Sequence, residues 1–107
     1  MKLSYIRYII PYMDVELLFH RKQIESNGDI IEMKIWKVPY SKERPHELKY
    51  SLVYIREGKR IIGYDNAEGK GYHKHYRGAE HVYHFKDIDI LIEDFYSDVE
   101  KIKRGEL

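Results

Sequence analysis

The sequence predicts an α+β fold, an antiparallel β-meander of four to five strands with a C-terminal amphipathic helix packed on one face. Three observations predict it. Segments of alternating apolar and polar residues fill most of the chain up to Asp65. Turn signals at Asn27-Gly28 and Glu57-Gly58 separate them. After Asp87 the apolar period changes to that of a helix.

Residues 1–13 are an extension whose run Leu3 to Ile10 fits a strand or a short helix, and Pro11 ends it either way. From Val15 to Ile24 a strand is expected: Val15, Leu17 and Phe19 alternate with Glu16 and His20, and Leu18 breaks the polar face. Ser26-Asn27-Gly28-Asp29 fits a two-residue hairpin turn, because Asn-Gly tolerates positive φ at both central positions. The second strand, Ile30 to Val38, puts Ile31, Met33 and Ile35 on one face and Glu32, Lys34 and Trp36 on the other. Trp36, on an otherwise charged face, is expected to pack against a second layer, contact with a partner being the alternative. A polar loop from Pro39 to Pro45 precedes the third strand, Leu48 to Arg56. Here Leu48, Tyr50, Leu52 and Tyr54 face one way and Val53 and Ile55 the other, which suggests a central strand covered on both sides. Glu57-Gly58 turns the chain into a fourth strand, Arg60 to Asp65, and a short fifth is expected at His81–Phe85. Asp87 can cap the helix, whose apolar residues Leu91, Ile92, Phe95, Val99 and Ile102 lie 3, 4, 7, 11 and 14 positions after Ile88. Asp89, Glu93, Asp94, Asp98 and Glu100 would form an acidic solvated face.

A chain of 107 residues has room for one domain with one hydrophobic core. Its 43% apolar and 35% charged residues are those of a water-soluble globular protein, and no apolar run approaches the ~20 residues of a membrane span. Arg7 interrupts the apolar N-terminal stretch and no small-residue cleavage site follows, so no secretion signal is expected. The absence of cysteine excludes disulfides, thiolate chemistry and Cys-based zinc sites, and fits a cytoplasmic protein. Many Lys, Arg and Glu, with no Thr or Cys, lean towards a thermophilic source. The net charge of +1 hides an asymmetry. Residues 67–86 carry four Lys/Arg, two Glu and four His, whereas residues 87–107 carry seven acids and three bases. A basic stretch beside an acidic helix is compatible with an anionic ligand at one and a basic partner at the other.

The unusual chemistry is concentrated between Gly63 and Gly78. In extended backbone His73 and His75 share a face and Lys74 does not. Two imidazoles titrating near neutrality can serve as acid and base in one site. Metal-free RNA cleavage needs that pair: one group deprotonates the 2′-hydroxyl and another protonates the leaving 5′-oxygen. Lys70, Lys74 or Arg77 could stabilise the charged phosphorane, Arg77 through its planar fork, while Tyr72 and Tyr76 offer faces for splayed bases. Asp65-Asn66 reads first as a pair of turn formers, and Asp65 could in addition fix a histidine tautomer by accepting its N–H. A metal site is the alternative chemistry. It requires further ligands, which Asp65, His81 and His84 could supply. Surface histidines without chemistry are the plain alternative to both.

The segments Lys49-Tyr-Ser-Leu-Val-Tyr-Ile55, Arg60 to Gly78 with its Tyr-Asp-Asn and His-x-His, Tyr83-His-Phe85, Leu91-Ile-Glu-Asp-Phe95 and Asp98-Val99 together resemble the TumE-like toxin family of small toxin–antitoxin modules. Glu32 to Pro39 fits the same pattern, so the resemblance spans about residues 15–102. It implies a growth-arresting toxin encoded beside a cognate antitoxin and acting by damage to RNA, with His73, His75 and Asp65 at motif positions and Arg77 following. The resulting expectation is a metal-independent endoribonuclease that needs no cofactor, binds RNA and an antitoxin but no membrane, and allows a homodimer. A module that inhibits by contact alone, or a metal-dependent nuclease, is the alternative.

Overall fold

The computed structural model describes residues 9–10, 14–67 and 71–106. Strands β1 (Ile9–Ile10), β2 (Val15–Ile24), β3 (Ile30–Lys37), β4 (Leu48–Arg56), β5 (Lys59–Asp65), β6 (His73–Tyr76) and β7 (Ala79–Val82) precede one helix, α1 (Ile88–Lys103). The strands form a single sheet in sequence order, every neighbouring pair antiparallel. The meander and its C-terminal helix are as expected, but the strand count is not. Six strands have four residues or more, and the two-residue β1 lies beyond them. Apart from Ile9–Ile10, residues 1–13 lie outside the described residues.

The extra strand comes from the glycine-rich stretch itself. His73–Tyr76 pairs with both β5 and Ala79–Val82, so the fifth strand expected at His81–Phe85 is displaced towards the N-terminus. A two-residue turn, Arg77-Gly78, makes this possible, with φ of 46° and 88°. Glu57-Gly58 repeats the device at 52° and 74°. Positive φ at both central positions matches the twist of a tight hairpin. The Asn27-Gly28 turn differs from its expectation. Only Gly28 has positive φ there, and the N–H of Gly28 donates to the Glu25 carbonyl while that of Glu25 donates to Asp29. These bonds enclose a three-residue loop.

Core residues lie on one face of the sheet. Ile31, Met33 and Ile35 of β3, Tyr50, Leu52 and Tyr54 of β4, and Ile62 and Tyr64 of β5 are buried beneath Leu91, Phe95, Val99 and Ile102 of the helix. Asp87 caps that helix, its side chain accepting from the Ile90 N–H at 2.8 Å. The expected acidic face is only partly solvated. Asp98 is buried, accepting from the Tyr64 hydroxyl at 2.6 Å and from Lys74 at 3.3 Å, and Asp94 accepts from the Tyr83 hydroxyl at 2.6 Å. These acids tie the helix to the sheet.

The opposite face, called here the open face, carries no second layer among the described residues, so β4 is covered on one side only. Two register shifts decide what appears there. Leu18 is an extra residue between Leu17, paired with Trp36, and Phe19, paired with Ile35. Leu17 and Phe19 therefore point to opposite faces, not the same one, and Leu18 is 44% exposed. A second shift pairs Tyr54 with Ile62 but Ile55 with Arg60. Simple alternation from Ile62 would send Arg60 to the helix face; the bulge re-aims it to the open face. Among the described residues, no helix is long and apolar enough to cross a membrane.

Candidate active site

The β5–β6 ladder places Asp65 directly opposite His73 and Gly63 opposite His75. All of these face the open side, because side chains alternate and Tyr64 and Lys74 face the helix. His73 Nε2 lies 2.9 Å from Asp65 Oδ1, and His75 Nε2 lies 3.5 Å from Asp65 Oδ2. Glu80 of β7, paired with His75, brings Oε2 to 3.7 Å from His75 Nε2 and 3.9 Å from His73 Nε2. The imidazole rings are 4.8 Å apart, edge to face.

The cluster is held from behind. His73 is buried, and its Nδ1–H donates to the Gly71 carbonyl at 3.1 Å, which fixes the ring. Asn66, fully buried, extends the β4–β5 pairing with its side chain. Its Nδ2 donates to the Leu48 carbonyl at 2.7 Å and its Oδ1 accepts from the Tyr50 N–H at 3.0 Å. Asp65 Oδ1 accepts in addition from the Ala67 N–H at 3.3 Å, so one carboxylate both forms the turn and faces the His73 ring.

The cluster belongs to a cleft of about 530 Å³ lined also by Lys34, Trp36, Lys49, Ser51 and Arg60. Arg60 lies flat over Gly63: a Cβ built there would stand 2.8 Å from Arg60 Cδ and 3.2 Å from Nε. Burial, then the positive charge of Arg60, pushes the pKa of His75 below its ordinary value and favours the neutral imidazole.

The residues expected to bind substrate are distributed differently. Asp65, His73 and His75 do come together. Lys74 turns to the helix face, where it pairs with Asp98 and stacks on the Tyr64 ring. Tyr76 packs against the helix-side core. Tyr72 bonds His46 through its hydroxyl at 2.8 Å and packs edge-on against Tyr50 and Phe85. Arg77 occupies a hairpin turn, not extended backbone, and its Nε donates to the hydroxyl of Tyr76 at 3.1 Å. Lys70 lies outside the described residues. His81 and His84 are not part of the Asp65–His73–His75 group. Trp36, expected to pack, is half-buried at the cleft wall. The cations that face the cleft are Lys34, Lys49 and Arg60, which the sequence does not single out. Alternation could have found Lys34 and Lys49, since both lie opposite apolar core positions on their strands.

No curated protein and no solved structure matches the chain. The family model described as Toxin TumE matches residues 4–103, and with that match over nearly its whole length, on a sheet that gathers Asp65, His73 and His75, the chain belongs to the TumE toxin family.

Proposed function

We propose that this chain is the toxin of a toxin–antitoxin module and that it cuts RNA in the open-face cleft. The observation that carries this reading is the pairing of an Asp65–His73–His75 floor with a rim of Lys34, Lys49 and Arg60. Cations at the rim attract a phosphodiester, and Arg60 beside His75 is suited to the extra charge of a pentacoordinate phosphorus. Trp36 offers a ring face to an unstacked base. A neutral His75 can accept the 2′-hydroxyl proton while that oxygen attacks phosphorus and the 5′-oxygen departs with a proton from a second group. In the metal-free form of the reaction that second group is His73, held between the Gly71 carbonyl and Asp65. The cognate antitoxin then acts by covering the cationic cleft.

The test is induced expression in a bacterium of the wild type, His75→Ala, and His73→Ala with His75→Ala, followed by mapping of RNA ends. New 5′ ends that vanish in both variants, with growth restored, are expected. Loss of one acid–base group costs about 10²–10⁴-fold in rate. Growth arrest and cutting that persist in the double variant would end this reading, and arrest without new RNA ends would favour inhibition by contact.

A further inference from the structure

We propose that Asp65, His73 and His75 form a binding site for a divalent transition-metal ion of the zinc class. The inference keeps the RNA-cutting reading of the cleft but not the acid–base roles of the two imidazoles, since a nitrogen held by a metal carries no proton, and its ligand binding can be measured without any RNA.

The hydrogen bonding of His73 is the first ground. A carbonyl oxygen only accepts, so the bond to Gly71 requires the proton to sit on Nδ1. A neutral ring then points its Nε2 lone pair at Asp65 Oδ1, 2.9 Å away. Two acceptors at that distance in a buried position share either a second ring proton or a metal ion, and the metal ion would take the place of that proton. One imidazole nitrogen donating to a backbone carbonyl while the other faces a carboxylate is how a metal-ligating histidine is oriented. The carbonyl selects the tautomer whose Nε2 is free to coordinate.

Spacing is the second ground. His75 Nε2 stands 3.5 Å from Asp65 and 3.7 Å from Glu80, and His73 Nε2 stands 3.9 Å from Glu80. These separations exceed the ~3.2 Å limit of a good N–H···O bond. Ligand bonds of about 2.0–2.2 Å put neighbouring ligand atoms about 2.8–3.1 Å apart at right angles and about 3.3–3.6 Å apart in a tetrahedron, so the His75–Asp65 separation fits two atoms sharing one ion and those to Glu80 lie just beyond. The three candidate ligand atoms all lie within 4.8 Å of one another, so small side-chain rotations close the set. Two imidazoles and one carboxylate suit zinc and its neighbours better than magnesium, which prefers oxygen and water. Three protein ligands leave a position towards the cleft for water or a phosphate oxygen. Glu80 is placed to supply a fourth ligand or to take a proton from that water.

The experiment uses the full chain, without a polyhistidine tag, freed of metal by chelator and titrated with zinc in a calorimeter. One zinc per chain, a raised melting temperature, and loss of binding in His73→Ala, His75→Ala and Asp65→Asn are expected. Each loss should exceed the about 10–100-fold that removal of a supporting partner costs. His81→Ala and His84→Ala should bind as the wild type does. Because a site variant could misfold, cobalt(II) is also added to the wild type, where d–d absorption of a low-symmetry site should appear and be displaced by zinc. Zinc binding that is absent, that survives all three site variants, or that disappears with His81 and His84 would overturn the proposal. Stoichiometric zinc with no RNA cutting would leave the metal site standing and remove the RNA reading. Full RNA cutting by metal-free protein that binds no zinc would do the reverse.

Discussion

Gly63 offers a way to move Arg60 without touching Arg60. An alanine Cβ at this position would lie 2.8 Å from Arg60 Cδ, 3.2 Å from Nε and 3.5 Å from Nη1. Carbon atoms prefer about 3.5–4.0 Å, so Cδ must retreat by about 1 Å. All three crowded atoms belong to a flexible side chain. Relief therefore comes from swinging Arg60 off the sheet, and the guanidinium at its end moves furthest. The backbone should benefit: Ala in a strand interior is favoured over Gly by about 0.5–1 kcal/mol. Stability and function are thus expected to move in opposite directions.

The assay is fluorescence anisotropy with a short single-stranded RNA that carries 2′-O-methyl groups and cannot be cut. A charge-assisted hydrogen bond contributes about 1.5–3 kcal/mol. Its loss should weaken binding by at least about tenfold at physiological salt. The slope of log affinity against log salt should fall by about 0.7, the value for one phosphate on a single strand. Arg60→Ala should do the same, and the double variant should be no worse than either single one, because both remove one contact. Urea unfolding should place Gly63→Ala at or above the wild type. Unchanged affinity in Gly63→Ala alongside a clear loss in Arg60→Ala would refute the close packing of Arg60 on Gly63. Additive losses would refute the shared cause.

Tyr50→Phe should leave stability unchanged or raise it by about 1 kcal/mol, because the Tyr50 hydroxyl is buried without a hydrogen-bond partner among the described residues; a loss above about 1 kcal/mol on urea unfolding would contradict that. Asp98→Ala takes the acceptor from the buried Tyr64 hydroxyl and from Lys74, and should cost about 1–3 kcal/mol in the same measurement; near-neutrality would mean the helix is held by its apolar stripe alone. The folded-state pKa of His75 lies below its ordinary 6.5, so as pH falls from about 6.5 towards the folded value the unfolded chain binds the proton first and stability drops. His75→Gln, studied metal-free by thermal unfolding between pH 7 and 5, should flatten that drop, and a steeper acid loss in the variant would reverse the assigned sign.

How legible these features are in sequence depends on whether the local period survives into the fold. The helix is legible because Leu91, Phe95, Val99 and Ile102 hold one stripe without interruption, and Asp87 supplies the cap. Convergence of His73 and His75 is legible because a two-residue period in extended backbone has only one outcome. Arg77 misleads for the same reason: it continues the period on paper, but the chain turns at Arg77-Gly78 and places it at the hairpin tip. Arg60 is hidden by the opposite fault. Counting back from Ile62 puts it in the core, and only the bulge opposite Tyr54 and Ile55 brings it to the cleft. Bulges depend on pairing between strands, which no single segment encodes. Gly63 is the trace this one leaves in the sequence, since a strand glycine marks a close approach.

The same alternation separates folding from chemistry in β6. His73 and His75 face the cleft, while Lys74 and Tyr76 face the helix side, where Lys74 meets Asp98 and Tyr76 packs on the core. A slip of one residue between β5 and β6 would exchange the two sets. It would bring imidazoles towards the Tyr64–Asp98 contact and lift Tyr76 into water, so the helix-side packing enforces the register on which the Asp65–His73 distance depends. The gathered site is therefore maintained from the far side of the sheet. Substitutions at His75 or Arg60 should spare the fold, because the core lies on the other face. Substitutions at Asp98 or Tyr64, which touch nothing in the cleft, should loosen the site by letting β6 shift against β5. A variant such as Tyr64→Phe, which keeps the ring but loses the bond to Asp98, tests this directly. Its expected mark is faster amide hydrogen exchange in residues 73–76, with the remaining strands protected as in the wild type. Unaltered exchange there would mean that the β5–β6 ladder holds its register without help from the helix.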